Sequence, residues 1–393
     1  MKKTLITLVI SGLIILGAFL IFKDQIKQYF FSPQIPPGEI GVTKESLQQK
    51  EAEPKTETNA EKTEPEIKTP DIQIIAQNLQ IPWEIAFLPT GEMLTTERPG
   101  NLLKIGLDKT VIKIEGVQHV GEGGLQGLAL HPDFANNNWL YLYLTTKPDD
   151  SLINRVERYK LVGNTLTEKT VIIDNIPGAQ YHDGGRLKFG PDNKLYITTG
   201  DATQSSKAQD LNYLGGKILR LNDDGSIPQD NPFKNSPVYS SGHRNPQGLA
   251  WDNLGQLWAT EHGRSAPLSG YDELNRIEKG KNYGWPVIQG GEAKQGMVTP
   301  VINSGPNFTW APAGAIYLDG SIFFAGLRGE ALYQYNLETK EFKTHFFKDF
   351  GRLRAVVVGP DGFIYVSTSN KDGRGEVKEG DDKIIKINPE VFR

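Results

Sequence analysis

Short runs of alternating apolar and polar residues recur from residue 71 to the C-terminus, each after a turn rich in Gly, Asp or Asn. Alternation with a period of two is typical of strands that bury one face, and this region shows no long helical pattern. Six such runs end near Thr, Ser or Ala: 92–96, 139–145, 194–199, 256–260, 321–325 and 363–368. The pattern therefore predicts an all-β domain.

A second strand-like run follows each of these six: 102–105, 155–159, 217–221, 274–277, 332–335 and 383–387. Strand pairs that recur roughly every 40–65 residues match the blades of a β-propeller better than the strands of a sandwich. We therefore predict that residues 71–393 form one six-bladed β-propeller, with residues 72–75 as an outer strand of the last blade. A large β-sandwich or two small β domains are the alternatives.

The N-terminus predicts a membrane segment. Lys2 and Lys3 precede an uncharged, mainly apolar run over residues 4–22, and Lys23 follows it. The run approaches the ~20 residues that cross a bilayer and ends without a small-residue cleavage site, so residues 1–23 are interpreted as an uncleaved signal anchor, a membrane-anchor helix. The rest of the chain would be exported. A cleaved signal peptide is the alternative, and it also predicts an extracytoplasmic protein.

The segment between this anchor and the propeller, residues 24–70, has a different composition. From residue 33 onwards it is dominated by Glu, Lys, Pro and Thr. Such a segment buries too little apolar surface to offset the entropy lost on ordering. We therefore predict that residues 24–70 form a disordered linker.

Composition and charge exclude several functions. The formal net charge is −4 over 393 residues, which gives no electrostatic reason to expect a nucleic-acid partner. The chain has no cysteine, so disulfides, thiolate metal sites and cysteine nucleophiles are excluded. No histidine spacing typical of a zinc site is present.

One histidine is a candidate general base. In a propeller, the loops just after the inner strands are expected to converge at one mouth of a central channel. His182 lies in a glycine-containing turn that leads into a strand, and Asp201 follows the next inner strand. A histidine base needs an acceptor on its second ring nitrogen, and a carboxylate serves well. A structural role for His182 is the alternative.

Four arginines indicate an anionic ligand. Arg352 and Arg354 are two residues apart, so they share one side of an extended segment. Together with Arg244 and Arg328 they would suit a multiply anionic ligand, because guanidinium groups bind carboxylates in pairs. Separate surface arginines are the alternative.

Gly263 allows the backbone carbonyls of its loop to turn toward a shared point, as a calcium site requires. Glu261 and Asp272 would add carboxylates close to it. A glycine-based turn beside a solvated carboxylate is the alternative.

Several motifs in their order along the chain resemble the soluble PQQ-dependent sugar dehydrogenases, the glucose/sorbosone dehydrogenase family of six-bladed propellers. The resemblance covers about residues 81–387. The motifs that carry it lie at residues 121–134, 182–186, 242–248, 272–275, 280–286 and 352–354.

The resemblance implies roles for individual residues. His182 corresponds to the base that removes the anomeric hydroxyl proton, and Asp201 to the carboxylate that orients it. The backbone carbonyls of Gly263 and Arg264 correspond to calcium ligands. Contacts to PQQ would come from Glu122, Arg244, Asn245, Arg328, Arg352 and Arg354.

Four positions depart from the family pattern. Glu122 replaces a glutamine, and a second anion there would repel the cofactor unless it is paired or protonated. Arg264 replaces a proline and Arg328 a lysine. Ala355 replaces an acidic residue beside the second arginine.

The function implied is the oxidation of aldose sugars at the anomeric carbon to lactones, with PQQ and Ca²⁺. Electrons would pass to a respiratory acceptor, which the membrane tether would keep close. Two alternatives remain open: a non-catalytic surface propeller that binds a glycan or a protein, and a calcium-dependent lactonase of propeller type.

Overall fold

The computed structural model describes residues 38–52, 70–265 and 270–393. In this part of the chain, six sheets of at least four strands each, antiparallel apart from one N-terminal edge strand, surround a central channel. The innermost strands of successive sheets pack against one another around the ring. The protein is therefore a six-bladed β-propeller, as predicted, and neither a sandwich nor a pair of small β domains.

The strands follow the blades in chain order. Before blade I lie β1 (Glu39–Ile40), helix α1 (Lys44–Ala52) and β2 (Ile72–Ala76). Blade I contains β3 (Pro82–Phe87), β4 (Met93–Glu97), β5 (Asn101–Ile105) and β6 (Lys109–Lys113). Blade II contains β7 (Leu125–Leu130), the one-turn helix α2 (Phe134–Asn137), β8 (Trp139–Thr146), β9 (Ile153–Val162) and β10 (Thr165–Pro177). Blade III contains β11 (Leu187–Phe189), β12 (Leu195–Thr199), β13 (Lys217–Leu221) and β14 (Val238–Ser241).

The second half of the ring repeats this arrangement. Blade IV contains β15 (Pro246–Trp251), β16 (Leu257–Glu261), β17 (Glu273–Ile277) and β18 (Ile302–Asn303). Blade V contains β19 (Pro312–Leu318), β20 (Ser321–Gly326), β21 (Ala331–Asn336) and β22 (Phe342–His345). Blade VI contains β23 (Leu353–Val358), β24 (Ile364–Thr368) and β25 (Ile384–Ile387). Single 3₁₀ turns occur at Pro148–Asp150, Ser205–Gln209 and Pro389–Phe392.

All twelve predicted runs correspond to strands, but the first run of each pair was assigned one place too far inward. It forms the second strand of its blade, and the true innermost strand precedes it in the sequence. The innermost strands are buried against neighbouring blades, as in β7 and β15. The second strands are buried to the same degree, as in β4 and β16, so burial does not distinguish the two positions in the sequence.

The two ends of the propeller domain meet in blade VI. Strand β2 pairs antiparallel with β25, so that Ile72 lies opposite Ile387. This confirms the predicted outer strand and closes the ring without a covalent link.

A hydrogen bond between a turn aspartate and an aromatic side chain of the second strand recurs in three blades. Each aspartate lies in the turn between the innermost and second strands, and the bond ties that turn to the sheet. The pairs are Asp192 with Tyr196 at 3.0 Å, Asp252 with Trp258 at 2.9 Å, and Asp361 with Tyr365 at 2.9 Å.

The prediction of a disordered linker is wrong for residues 38–52. Strand β1 pairs in parallel with β22 on the outer edge of blade V, and Leu47 of α1 is buried. The edge strand β22 offers unpaired backbone groups, and a few apolar residues suffice to hold the segment there. The predicted anchor and the remainder of the linker lie outside the described residues. Among the helices that are described, none has the length and apolar character needed to cross a membrane.

Candidate active site

A cavity of about 460 Å³ opens at one end of the central channel. Its walls come from loops that precede the innermost strands or follow the second strands, which end at the same mouth. Eight predicted residues line it: Glu122, His182, Arg244, Gly263, Arg264, Asp272, Arg328 and Arg352. Arg354 lines an adjoining pocket of about 220 Å³.

His182 and Asp201 form a hydrogen-bonded pair at this cavity. His182 Nδ1 lies 2.7 Å from Asp201 Oδ1, and the carboxylate is almost completely buried. Asp201 Oδ2 accepts a second hydrogen bond, of 2.8 Å, from Trp285 Nε1. In the neutral tautomer that donates a hydrogen bond from Nδ1 to this carboxylate, Nε2 is the acceptor nitrogen and could take a proton from a ligand in the cavity.

Glycines allow the two loops of this pair to approach. A Cβ atom at Gly200 would lie 1.8 Å from the carbonyl oxygen of His182, and one at Gly184 would lie 2.5 Å from the carbonyl oxygen of Thr198. The Gly184 N–H also donates to Asn245 Oδ1 at 2.9 Å. Asn245 is completely buried behind the cavity wall, so the structure does not bring this predicted ligand to the surface of the cavity.

Arg352 and Arg354 share one buried carboxylate that the sequence analysis missed. Asp372 Oδ2 lies 3.1 and 2.8 Å from Nε and Nη2 of Arg352, and 3.6 Å from Nη2 of Arg354. Burial alone would raise the pKa of Asp372, but the two arginines lower it. Burial and the nearby Arg98 lower the pKa of Arg354 to about 9. Asp372 thus supplies the negative charge that position 355 lacks.

Among the described residues, no carboxylate lies at bonding distance from the Arg244 guanidinium group. It donates to Ser265 Oγ at 2.7 Å and more weakly, at 3.5 Å, to the carbonyl of His262. Its guanidinium lies 5.5 Å from the ring of Trp285, and burial lowers its pKa. Arg328 also lines the cavity, and burial lowers its pKa as well.

Positive charge exceeds negative charge around the cavity and the adjoining pocket. Seven arginines line them: Arg98, Arg244, Arg264, Arg328, Arg352, Arg354 and Arg374. Three carboxylates do so: Glu122, Asp272 and Asp372. A concave, partly buried surface with this excess favours a ligand that carries several negative charges.

Glu122 is paired, which removes the objection to an anion at this position. Its Oε1 lies 2.8 Å from Arg374 Nη1, and its Oε2 accepts the backbone N–H of His182 at 3.0 Å. Burial opposes ionisation, but Arg374 and His182 hold the pKa of Glu122 well below its usual range. The sequence analysis missed Arg374, because no local pattern relates it to a residue in another blade.

The two carboxylates suggested near a metal site, Glu261 and Asp272, are engaged by protein groups. Asp272 Oδ1 accepts the Gly263 N–H at 2.7 Å, and its Oδ2 accepts the Trp310 and Ala311 N–H groups at 2.6 and 2.9 Å. Glu261 is occupied by His243 Nδ1 at 2.7 Å. Both carboxylates hold the protein together instead. Within residues 38–52, 70–265 and 270–393, no group of three or more acidic or histidine side chains is arranged to bind a metal.

The loop at Gly263 nevertheless presents its backbone to the cavity. Gly263 and Arg264 both line the wall. A Cβ atom at Gly263 would lie 2.2 Å from the carbonyl oxygen of Gly270, so only glycine fits. A hard cation would therefore have to be bound by backbone oxygens here.

His262, the neighbour of Gly263, is a cavity residue that the sequence analysis did not select. It lines both the cavity and the adjoining pocket, and its buried Nε2 has no hydrogen-bond partner among the described residues. Burial lowers its pKa to about 4, so the ring is neutral at pH 7. Its position directly after a second strand was the available signal.

A six-bladed propeller with a histidine–aspartate pair in an arginine-lined cavity is suited to hold a multiply charged anion beside a candidate base. The chain belongs to the glucose/sorbosone dehydrogenase family, whose model matches residues 79–379. This confirms the resemblance seen in the motifs.

Individual relatives agree with this assignment. Aldose sugar dehydrogenase YliI of Escherichia coli is 32% identical over 361 residues, which cover 82% of this chain and 93% of that protein. The PQQ-bound aldose sugar dehydrogenase of Streptomyces coelicolor superposes with a TM-score of 0.74 at 38% identity, over 81% of this chain and 97% of that one. A putative glucose dehydrogenase of Thermus thermophilus superposes with a TM-score of 0.76 at 40% identity, over 81% and 99%.

Proposed function

We propose that the protein oxidises aldose sugars at the anomeric carbon to lactones, with bound PQQ as the oxidant. The observation that carries the proposal is the His182–Asp201 pair at a cavity that, together with its adjoining pocket, is lined by seven arginines and three carboxylates. Relatives named as aldose sugar dehydrogenases, one of them in its PQQ-bound form, support it.

The residues present fit PQQ, a planar tricarboxylate. Arg244, Arg328 and Arg352 on the cavity wall, and Arg354 next to it, offer guanidinium groups to its carboxylates. The unpaired Nε2 of His262 offers a further polar contact. When bound, PQQ supplies a quinone that accepts the hydride of the sugar.

Ca²⁺ would be held by the backbone carbonyls of Gly263 and Arg264, with the cofactor completing its coordination. The glycine-only backbone at the wall supports this, and the neighbouring carboxylates are already occupied. A cation there supplies Lewis-acid stabilisation of charge on the quinone oxygen.

The chain's own contribution to the chemical step is the removal of a proton. His182 Nε2 accepts the proton of the anomeric hydroxyl as the C–H bond at the same carbon breaks. Asp201 holds the ring in the required tautomer and stabilises the imidazolium that forms. Trp285 in turn fixes the second oxygen of that carboxylate.

We also propose that the protein acts outside the cytoplasm, held at the membrane by residues 1–23 and passing electrons to a respiratory acceptor. The apolar run after Lys2 and Lys3 supports this location. Fractionation of cells tests the attachment: the activity of the full chain should be recovered in the membrane fraction, and recovery in the soluble fraction would contradict it.

Reconstitution tests the enzymatic proposal. Purified protein with PQQ and Ca²⁺ should reduce an artificial dye with aldoses, and His182→Ala should abolish turnover while PQQ still binds. His119→Ala, at an exposed position, is the matched control and should retain activity. Absence of PQQ-dependent turnover over a broad sugar panel would refute the proposal. A non-catalytic propeller would instead bind its ligand equally well with and without His182.

A lactonase of propeller type is less well supported. It would require side-chain carboxylates free to bind a metal at the mouth. In the described residues, Glu261 and Asp272 are engaged by other groups.

A further inference from the structure

Residues 38–52, here called the N-terminal strap, cross the outer edge of blade V. Strand β1 pairs with β22, placing Ile40 opposite Thr344. Beyond it, the Gly41 N–H donates to the carbonyl of Thr344 at 2.8 Å, and the carbonyl of Val42 accepts the Phe346 N–H at 2.7 Å. The strap precedes residues 79–379, which match the family model.

A buried histidine joins the strap to the blade. The Val42 N–H donates to Nδ1 of His345 at 3.0 Å, and the opposite ring nitrogen lies 2.9 Å from Gln334 Oε1. A Cβ atom at Gly41 would lie 2.2 Å from the same Nδ1. The strap backbone therefore passes so close to the His345 imidazole that only glycine fits at position 41.

Helix α1 then reaches the segment that leads to the cavity. Leu47, 7% exposed, belongs to the same apolar core as Phe346 and Leu353. The Lys44 N–H donates to Asp349 Oδ2 at 2.7 Å. The strap thus holds residues 346–349 from the outside of the propeller.

From this segment a short series of hydrogen bonds leads to Arg352. The carbonyl of Phe350 accepts from Asn370 Nδ2 at 3.0 Å, and Asn370 Oδ1 accepts the Arg352 N–H at 2.8 Å. The Arg352 side chain is held by Asp372, two residues beyond Asn370. Contacts are therefore continuous from the strap to a guanidinium group of the cavity wall.

We propose that the strap positions Arg352 for the anionic ligand of the cavity, so that Leu47 is a positioning residue for cofactor binding. The proposal rests on the proposed function insofar as that ligand is PQQ. An arginine held in one place loses less conformational entropy when a carboxylate binds to it. Releasing the strap should therefore weaken the affinity for PQQ without removing any group that touches the cavity.

The test compares Leu47→Asp with Gln48→Asp in the full chain. Both add one negative charge to α1, but position 47 is buried and position 48 is exposed. Titration of PQQ, followed by quenching of tryptophan fluorescence, should give a Kd about tenfold higher for Leu47→Asp. Amide hydrogen exchange at Arg352, whose N–H donates to Asn370 and not to the strap, should become faster. Gln48→Asp should match the wild type in both.

A second pair covers the case in which Leu47→Asp does not fold. Gly41→Val places a side chain against His345, whereas Gly291→Val adds one where no atom lies within 4 Å. Gly41→Val should weaken PQQ binding and Gly291→Val should not.

Two outcomes would overturn the proposal. Folded strap variants that bind PQQ like the wild type would show that the strap contributes stability alone. Unchanged exchange at Arg352 would show that the strap is not coupled to the cavity. The hydrogen-exchange measurement does not depend on PQQ, so it tests the strap even if the wild type binds no PQQ. Absence of PQQ binding would count against the proposed function alone.

Discussion

Glu122 and Arg374 form an ion pair of 2.8 Å across the mouth of the cavity, although 252 residues separate them in the chain. Glu122 precedes the innermost strand of blade II, whereas Arg374 follows the second strand of blade VI. The Arg374 guanidinium also lies 5.8 Å from the ring of Tyr181. The pair keeps a carboxylate ionised and neutralised beside His182, where an unpaired anion would oppose an anionic cofactor.

Replacing Arg374 alone should weaken PQQ binding more than replacing Arg374 and Glu122 together. Arg374→Gln leaves Glu122 with an uncompensated charge, so we expect the Kd for PQQ to rise about tenfold or more. Glu122→Gln with Arg374→Gln should recover most of the affinity. Fluorescence titration of both single variants and the double variant forms the cycle. Strictly additive effects would contradict a coupled pair.

Asp201→Asn should separate proton transfer from cofactor binding. Asparagine keeps the size of the side chain but favours the wrong tautomer of His182, so kcat should fall by about 10² to 10⁴. Asp201 does not line the cavity, and the Kd for PQQ should therefore stay within about threefold of the wild type. Stopped-flow reduction of the reconstituted enzyme gives the first quantity and titration gives the second. If the affinity for PQQ fell by as large a factor as kcat, Asp201 would be shown to maintain the structure of the cofactor site instead.

Acid should destabilise the protein through His345. Burial lowers the pKa of His345 to about 4, whereas an unfolded histidine titrates near ~6.5. Between these two pH values the unfolded chain binds a proton that the folded chain does not. The contribution of the neutral His345 ring to the free energy of unfolding is therefore fully present above about pH 6.5 and is lost as the pH decreases toward 4. Between pH 7 and pH 5 the loss should be on the order of 2 kcal/mol.

Urea unfolding at pH 7 and pH 5 measures this loss. His345→Gln should show a smaller difference between the two pH values than the wild type. His262, whose pKa burial also lowers to about 4, should account for part of the remainder. An unchanged difference in the His345 variant would exclude it as a source.

Asp183 should have the opposite pH dependence. Burial raises the pKa of Asp183 to about 7, and its Oδ2 has no hydrogen-bond partner among the described residues. An unfolded aspartate titrates near ~3.9, so this residue costs stability progressively as the pH rises from about 4 through 7. Asp183→Asn should therefore raise the Tm at pH 8 and have little effect at pH 4.

Asp108→Asn, at an exposed position, controls for the change in net charge. Calorimetric scans of both variants at the two pH values measure the effect. A Tm gain in Asp183→Asn of equal size at pH 4 and pH 8 would show that ionisation is not its cause.

The repeated strand pairs were readable from the sequence because a half-buried strand alternates polar and apolar residues every second position. The order of the strands within a blade was not, since the innermost and the second strands are both largely buried. The same limit applies to residues 38–52. Their composition resembles that of a disordered chain. The segment is nevertheless ordered, because it pairs with the edge strand β22 and buries Leu47. Those partners lie some 300 residues further along the chain.

The chain's local chemistry by itself determined the all-β class, the number of blades and the residue types that reach the mouth. The glycines next to His182, Gly263 itself and the arginines in short loops carry this information. Each of them affects the conformation or the charge of only the few residues around it. Tertiary structure alone decided the pairings. Asp372 with Arg352 and Arg354, Arg374 with Glu122, and the engagement of Asp272 by backbone donors depend on which blades become neighbours when the ring closes. Charge interactions act over a few ångströms in space, and sequence separation does not record that distance.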